Sequence, residues 1–222
     1  MSSGRPGYPD IDDDLFWRLH DRWRPHSLLS VERLYSLYTV MGFLAGSGLH
    51  GAVVECGVWR GGAAALCAAT LAWLGDTERA FYLFETFDGF PEDVREPVFD
   101  GSVLTHDNWH RDDVQAVVET NLRATGYPTD RIHLIRGRVE DSLPCRAPET
   151  IAHLHLDTDC YGSTLHELRT LYPRVVTGGL VSIDDYGHFS DCARAVTEYF
   201  AGTAVFLHRI DYTGRLIIKS GQ

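Results

Sequence analysis

From residue 30 onward, short apolar runs alternate with longer segments bounded by capping and turn residues. Ser30 can cap a helix running to about Ala45, with Glu32 in its first turn and Gly46 at its end. A short apolar strand follows at 52–56, then an alanine-rich helix over 61–74 closed by Gly75. The alternation continues with a strand at 80–84, a helix at 112–125 closed by Gly126, and strands at 132–135 and 151–156. A helix over 163–172 is stopped by Pro173, a strand spans 180–183 and a helix spans 190–200. Segments 205–210 and 215–219 read as a hairpin around Thr213-Gly214. Strands alternating with helices predict an α/β fold: a parallel sheet covered on both faces, with the last hairpin supplying an antiparallel edge.

Three stretches depart from the alternation. Residues 1–29 are polar and rich in Pro, Asp and Arg, with Trp17 and Trp23, and read as an extension lying over a domain that spans 30–222. The uncharged run 34–54 is long enough to suggest a membrane span. Gly46-Ser47-Gly48 breaks it and Ser36, Tyr38 and Thr39 dilute it, so it reads as a buried helix, a turn and a strand. The stretch 87–111 is long and irregular, with Pro91, Pro97 and Gly101. A loop of that length in a compact domain is usually functional, and with the N-terminal segment it is expected to close over a substrate.

Composition narrows the partners. Hydrophobic residues make up 44% of the 222 and the formal net charge is −11. The first value supports a sizeable core; the second repels phosphate backbones and argues against nucleic acid. The cysteines, Cys56, Cys67, Cys145, Cys160 and Cys192, are odd in number and form no Cys-x-x-Cys pair, which suits reduced thiols in a cytoplasmic protein. The first fifteen residues carry Asp10, Asp12, Asp13 and Asp14 and no apolar run, so no signal peptide or membrane attachment is expected.

In open α/β sheets ligands bind past the carboxyl ends of the strands, so the residues there carry the chemistry. The first such turn reads Glu55-Cys56-Gly57-Val58-Trp59-Arg60-Gly61-Gly62. Its glycines let backbone approach a ligand, and Glu55 is placed to face a ligand ammonium; the alternative is a plain tight turn. The turn is neither a P-loop nor Gly-x-Gly-x-x-Gly. The second strand leads into Glu85-Thr86, an acid positioned to accept two ribose hydroxyls, or else a solvated loop acid. The third leads into Gly137-Arg138-Val139-Glu140-Asp141-Ser142, polar residues able to meet an adenine edge.

The fourth and fifth strands end Leu156-Asp157-Thr158-Asp159 and Ile183-Asp184-Asp185-Tyr186. Carboxylates crowded on one rim raise each other's pKa, and a hard divalent cation such as Mg²⁺ relieves that cost. The alternative is helix capping, open to Asp159 and Asp185. His153 and His155 alternate along a strand; they read as one buried, hydrogen-bonded histidine and a neutral neighbour rather than a metal pair. His188 follows the acidic pair and is placed to line a cleft. No Gly-x-Ser-x-Gly occurs, which excludes the usual acyl-transfer signature.

Together with Leu83-Phe84-Glu85-Thr86-Phe87-Asp88-Gly89-Phe90-Pro91, Leu171-Tyr172-Pro173 and Ile183-Asp184-Asp185-Tyr186-Gly187-His188, these motifs resemble the macrocin O-methyltransferase family, in that family's order, from about Leu34 to Lys219. The resemblance implies a class I methyltransferase fold, Rossmann-like, with a mostly parallel seven-stranded sheet. It implies S-adenosylmethionine as cofactor, held by Glu55, Gly57, Gly61, Glu85, Thr86, Asp141, Ser142 and Asp157. It places Asp157, Asp184 and Asp185 on Mg²⁺ and makes Asp159 the general base. Glu85 stands where family members often have Asp, and a longer acid still reaches a ribose. The implied acceptor is a hydroxyl of a small molecule, a sugar of a natural product such as an antibiotic, and a homo-oligomer (dimer or tetramer) is expected. A related reaction on the same cofactor and a non-catalytic nucleotide-binding scaffold are the alternatives. The rim carboxylates argue against the scaffold.

Overall fold

A computed structural model describes residues 5–89, 95–98, 103–105 and 114–221. Its seven-stranded sheet is built from β1 (Ala52–Cys56), β2 (Phe81–Glu85), β5 (Ile132–Arg136), β6 (Ile151–Leu156), β7 (Val175–Ile183), β8 (His208–Arg209) and β9 (Arg215–Ile218). The order across it is β5-β2-β1-β6-β7-β9-β8. Five strands run parallel, and β9 and β8 complete the edge antiparallel. This is the predicted α/β architecture. The order reverses between β1 and β6, so the strand ends around that point open into a crevice.

The two faces carry separate clusters. On one, α1 (Asp14–Trp23), α2 (Val31–Ser47), α3 (Gly62–Leu74) and α4 (Val114–Arg123) pack on Val53, Phe81, Leu83 and Leu180. On the other, α5 (Val139–Arg146), α6 (Tyr161–Leu171) and α7 (Ser190–Tyr199) pack on Val54, Phe84, Leu154 and Val181. Helix α3 is buried from Gly62 through Leu71. Its small side chains let the sheet approach one side while α1 and α2 cover the other.

Several boundaries differ from the sequence reading. Helix α2 passes Gly46 and ends at Gly48, which has the left-handed φ of 70° that a C-terminal cap favours. Strand β7 begins five residues before the expected start, because the Gly178-Gly179 irregularity shifts its pairing with β6 rather than ending it. The polar N-terminal segment contains α1, unexpected from its composition. Asp13 caps it, accepting from the backbone of Leu15 at 2.9 Å and Phe16 at 3.1 Å. Phe16, Trp17 and Trp23 then enter the same cluster as α2 and α3. Helix α5, also unexpected, carries Pro144 in its interior. Within the stretch read as a long loop, β3 (Arg95–Pro97) and β4 (Val103–Thr105) pair antiparallel. Residues 90–94, 99–102 and 106–113, including His106 and His110, lie outside the described residues, as does the start of the expected 112–125 helix.

Candidate active site

A cleft of about 320 Å³ opens past the carboxyl ends of β1, β2, β6 and β7. Its β1 side is made of turns drawn tightly together. Gly57 has φ 84°, and a Cβ there would stand 1.9 Å from the Asp157 carbonyl oxygen. Only glycine permits that approach. The Glu85 carboxylate accepts from Val58 N at 2.8 Å and Trp59 N at 2.9 Å through Oε2. Its Oε1 accepts from Thr86 N at 2.8 Å, Thr86 Oγ1 at 3.1 Å and Phe87 N at 3.2 Å. Glu85 therefore staples the β1 turn to the β2 turn, with Trp59 and Phe87 both at positive φ beside it.

Not every predicted residue reaches the cleft. Glu55, Gly57, Glu85, Thr86 and Asp157 line it. Gly61 stands behind the turn, where it caps α3 and packs against Val118. Asp141 and Ser142 lie on α5; the cleft is lined instead by Gly137, Arg138, Val139 and Glu140.

The β6 side is charged. Register places Glu55, His155 and Ser182 side by side across β1, β6 and β7. His155 Nδ1 lies 3.2 Å from Glu55 Oε1, and its Nε2 lies 3.9 Å from Asp184 Oδ1. Burial alone would depress its pKa, but Asp184 and Glu55 outweigh burial and hold it well above the ordinary histidine value. Both carboxylate partners favour its protonated form. Its neighbour His153 bonds Ser182 Oγ at 3.0 Å, and burial lowers its pKa to about 3, so that ring is neutral. Burial raises the Glu55 carboxyl, with His155 opposing.

Asp157, Asp159 and Asp185 bring carboxylate oxygens within 4.8 Å of one another. Burial, then mutual repulsion, raises Asp157 and Asp185 well above the usual carboxylate range. Among the described residues, Asp185 Oδ2 is buried with no hydrogen-bond partner. An orphaned oxygen inside an oxygen-rich cluster fits a hard divalent cation. Asp184 is placed differently: its Oδ2 is ion-paired with the guanidinium of Arg33 in the first turn of α2. Arg33 also holds Asp211 Oδ2 at 3.1 Å, which accepts from Ser30 Oγ at 2.8 Å.

Sequence reasoning missed Arg33, because it arrives from a helix remote in sequence. It also missed His26 to Leu29 as cleft wall, although a signal was present. Gly62 carries that segment's backbone so close that a Cβ would stand 2.4 Å from the His26 carbonyl. Gly187 likewise admits the 211–214 turn, placing Tyr212 and Thr213 at the mouth beside His188. Tyr212 Oη and His188 Nδ1 are 3.3 Å apart.

The sequence model of a family described as Macrocin-O-methyltransferase (TylF) matches residues 17–217. The chain belongs to the macrocin O-methyltransferase family. It is similar to the 8-demethyl-8-(2,3-dimethoxy-alpha-L-rhamnosyl)-tetracenomycin-C 4'-O-methyltransferase of Streptomyces olivaceus, at 33% identity over 94% of this chain and 80% of that protein. It is also similar to the demethyldecarbamoylnovobiocin O-methyltransferase of Streptomyces niveus, at 34% identity over 79% of this chain and 68% of the relative. Among solved structures, the O-methyltransferase NovP superposes with a TM-score of 0.78 at 29% identity, covering 88% of this chain and 83% of NovP. As a member of this family the chain is an O-methyltransferase. The match begins well before Leu34, so α1 falls within it from Trp17. Among the described residues, no helix is long and apolar enough to cross a membrane.

Proposed function

We propose that this O-methyltransferase moves the methyl group of S-adenosylmethionine to a sugar hydroxyl of a natural product, with Mg²⁺ on the acidic rim and Asp159 as general base. The observation that carries this reading is one cleft in which the backbone turns after β1 and β2 face Asp157, Asp159 and Asp185. The activities of similar proteins support the acceptor class, since one is a rhamnosyl-tetracenomycin C 4'-O-methyltransferase and another is a mycinamicin III 3''-O-methyltransferase.

Glu55 faces the cleft and takes the cofactor's ammonium, while Glu85, held by four backbone N–H groups, offers its remaining lone pairs to the ribose hydroxyls. Asp157, Asp184 and Asp185 would hold Mg²⁺, which when bound lowers the pKa of a coordinated hydroxyl. Asp159 accepts the hydroxyl proton as the oxygen–carbon bond forms and the sulfur–carbon bond breaks. The turns align oxygen, methyl and sulfur, a contribution of roughly 7–11 kcal/mol in well-oriented reactions.

One observation favours a second arrangement of the same ion. Asp184 is engaged by Arg33, and the three oxygens that lie together belong to Asp157, Asp159 and Asp185. Asp159 would then be a ligand. Titration with Mn²⁺ alone separates the two: Asp184→Asn weakens binding under the first arrangement, Asp159→Asn under the second. The function itself is tested by calorimetry with S-adenosylhomocysteine in Mg²⁺ and by methyl transfer to a panel of 6-deoxyhexosides. No binding heat at high micromolar ligand would remove the cofactor assignment.

A further inference from the structure

Asp159 has φ 64°, in the left-handed region that an L residue other than glycine enters at a cost. Cys160 N–H donates to the Thr158 carbonyl at 2.6 Å across it, which closes a three-residue γ-turn around Asp159. That form with a positive central φ is rare and needs support from its surroundings.

The support comes from an unusual place. Thr158 Oγ1 donates to Glu167 at 3.0 Å and 3.2 Å to its two oxygens. Glu167 projects from α6, is fully buried, and has no role in the chemistry above. Burial, opposed by the Thr158 bond and reinforced by Glu140, pushes its pKa to about 8. A carboxyl buried at that cost is out of place in a core, where an apolar side chain would sit more easily. Among the described residues, the hydroxyl that reaches it belongs to the residue preceding Asp159. Asp157 N–H, upstream, donates to Cys56 O at 2.9 Å, and Cys160 O, downstream, accepts from Thr164 N–H at 2.9 Å, so the turn is pinned at both ends.

We propose that Thr158 and Glu167 form a buried brace whose purpose is to hold the Asp159 turn in its left-handed conformation, and with it the Asp159 carboxylate against Asp185. Both are positioning residues: neither touches the reacting atoms, and each acts through Asp159. The proposal rests on the reading above only in giving Asp159 a part in the reaction, as base or as ligand.

Two measurements test it, and the first needs no acceptor. Crystal structures of wild type, Thr158→Val and Glu167→Leu with S-adenosylhomocysteine should show Asp159 leaving positive φ and separating from Asp185 in both variants. In Thr158→Ser, which restores the hydroxyl, it should stay. Unchanged Asp159 geometry in both disrupted variants overturns the brace. The second measurement uses the 6-deoxyhexoside that wild type methylates fastest. Thr158→Val should lose about 10- to 100-fold in kcat, the scale of a small misplacement at a reacting centre, with KM and S-adenosylhomocysteine affinity within about threefold. Thr158→Ser should recover most of the rate. A KM effect without a kcat effect would also overturn the proposal. If Asp159→Asn is fully active while the crystal arm succeeds, the brace stands and the role assigned to Asp159 falls.

Discussion

On the β1–β2 side of the cleft, the wall is made of backbone turns gathered by glycine and by one stapling carboxylate. On the β6–β7 side it is made of side chains, nearly all charged and nearly all buried. Glu85 satisfies four N–H groups whether or not a ligand is present. Among the described residues, Asp185 keeps an oxygen with no partner, and Asp157 sits among like charges. The first side is complete as folded. The second is balanced only in part, by Arg33 and His155, both of which reach Asp184. The folded chain thus satisfies its polar groups on one side and concentrates like charge on the other.

The largest effects are expected where like charge is concentrated. Asp159→Asn should cut turnover by about 10²–10⁴-fold, the range for a lost general base, while S-adenosylhomocysteine still binds in calorimetry. EDTA should abolish turnover and Mg²⁺ restore it. Full activity in metal-free enzyme would mean that Asp157, Asp159 and Asp185 act through direct hydrogen bonds to the acceptor, and the contrast between the sides would lose its basis.

Arg33→Met removes one internal cation and strands Asp184 and Asp211. Breaking a buried pair in this way costs about 3–5 kcal/mol, read as a lower urea midpoint at neutral pH. The loss should shrink as the carboxylates protonate in acid. A variant as stable as wild type would show that the acidic side does not depend on Arg33 for its balance.

On the quieter side, Glu85→Gln should weaken S-adenosylhomocysteine binding by about tenfold, the equivalent of roughly 1.4 kcal/mol, and leave kcat at saturating cofactor nearly unchanged. The amide keeps one acceptor for the staple but gives up the charge-assisted bonds. A kcat loss larger than the affinity loss would place Glu85 in the chemistry.

The same division explains what the sequence made legible. Strands 52–56 and 151–156 were readable to the residue because each is a short apolar run buried on both faces. The Glu55 and Glu85 turns were readable because their chemistry is local: an acid, a glycine and a following helix. Arg33, by contrast, stands 151 residues from Asp184, and no local pattern announces that meeting. His155 is an intermediate case. It shares a strand face with Asp157, so its proximity was visible, but its charge depends on Glu55 from a different strand. Helix α1 was obscured by its own polar face, and α5 by Pro144. Read along the chain, the rim acids lack counter-charge; in the fold, Arg33 and His155 both reach Asp184.

A pH series tests whether the strain on the acidic side extends to Glu167. Its folded pKa of about 8 lies above the ordinary value of 4.5, so the fold favours the neutral carboxyl. Stability from this group is fully present below pH 4.5 and declines as pH rises toward 8, because the unfolded chain sheds its proton first. Above pH 8 both states are ionised and the slope ends. The ceiling is about 1.4 kcal/mol per pH unit across that window, and relaxation around a buried carboxylate lowers it. Glu167→Gln keeps an acceptor for Thr158 and has no proton to lose. Urea denaturation of both proteins from pH 5 to 9 should show nearly equal stability at the acid end. The variant should gain steadily on wild type up to about pH 8, with a constant difference beyond. Parallel curves throughout would mean that Glu167 stays ionised in the fold, and that the acidic side carries its excess charge at Asp157 and Asp185 alone.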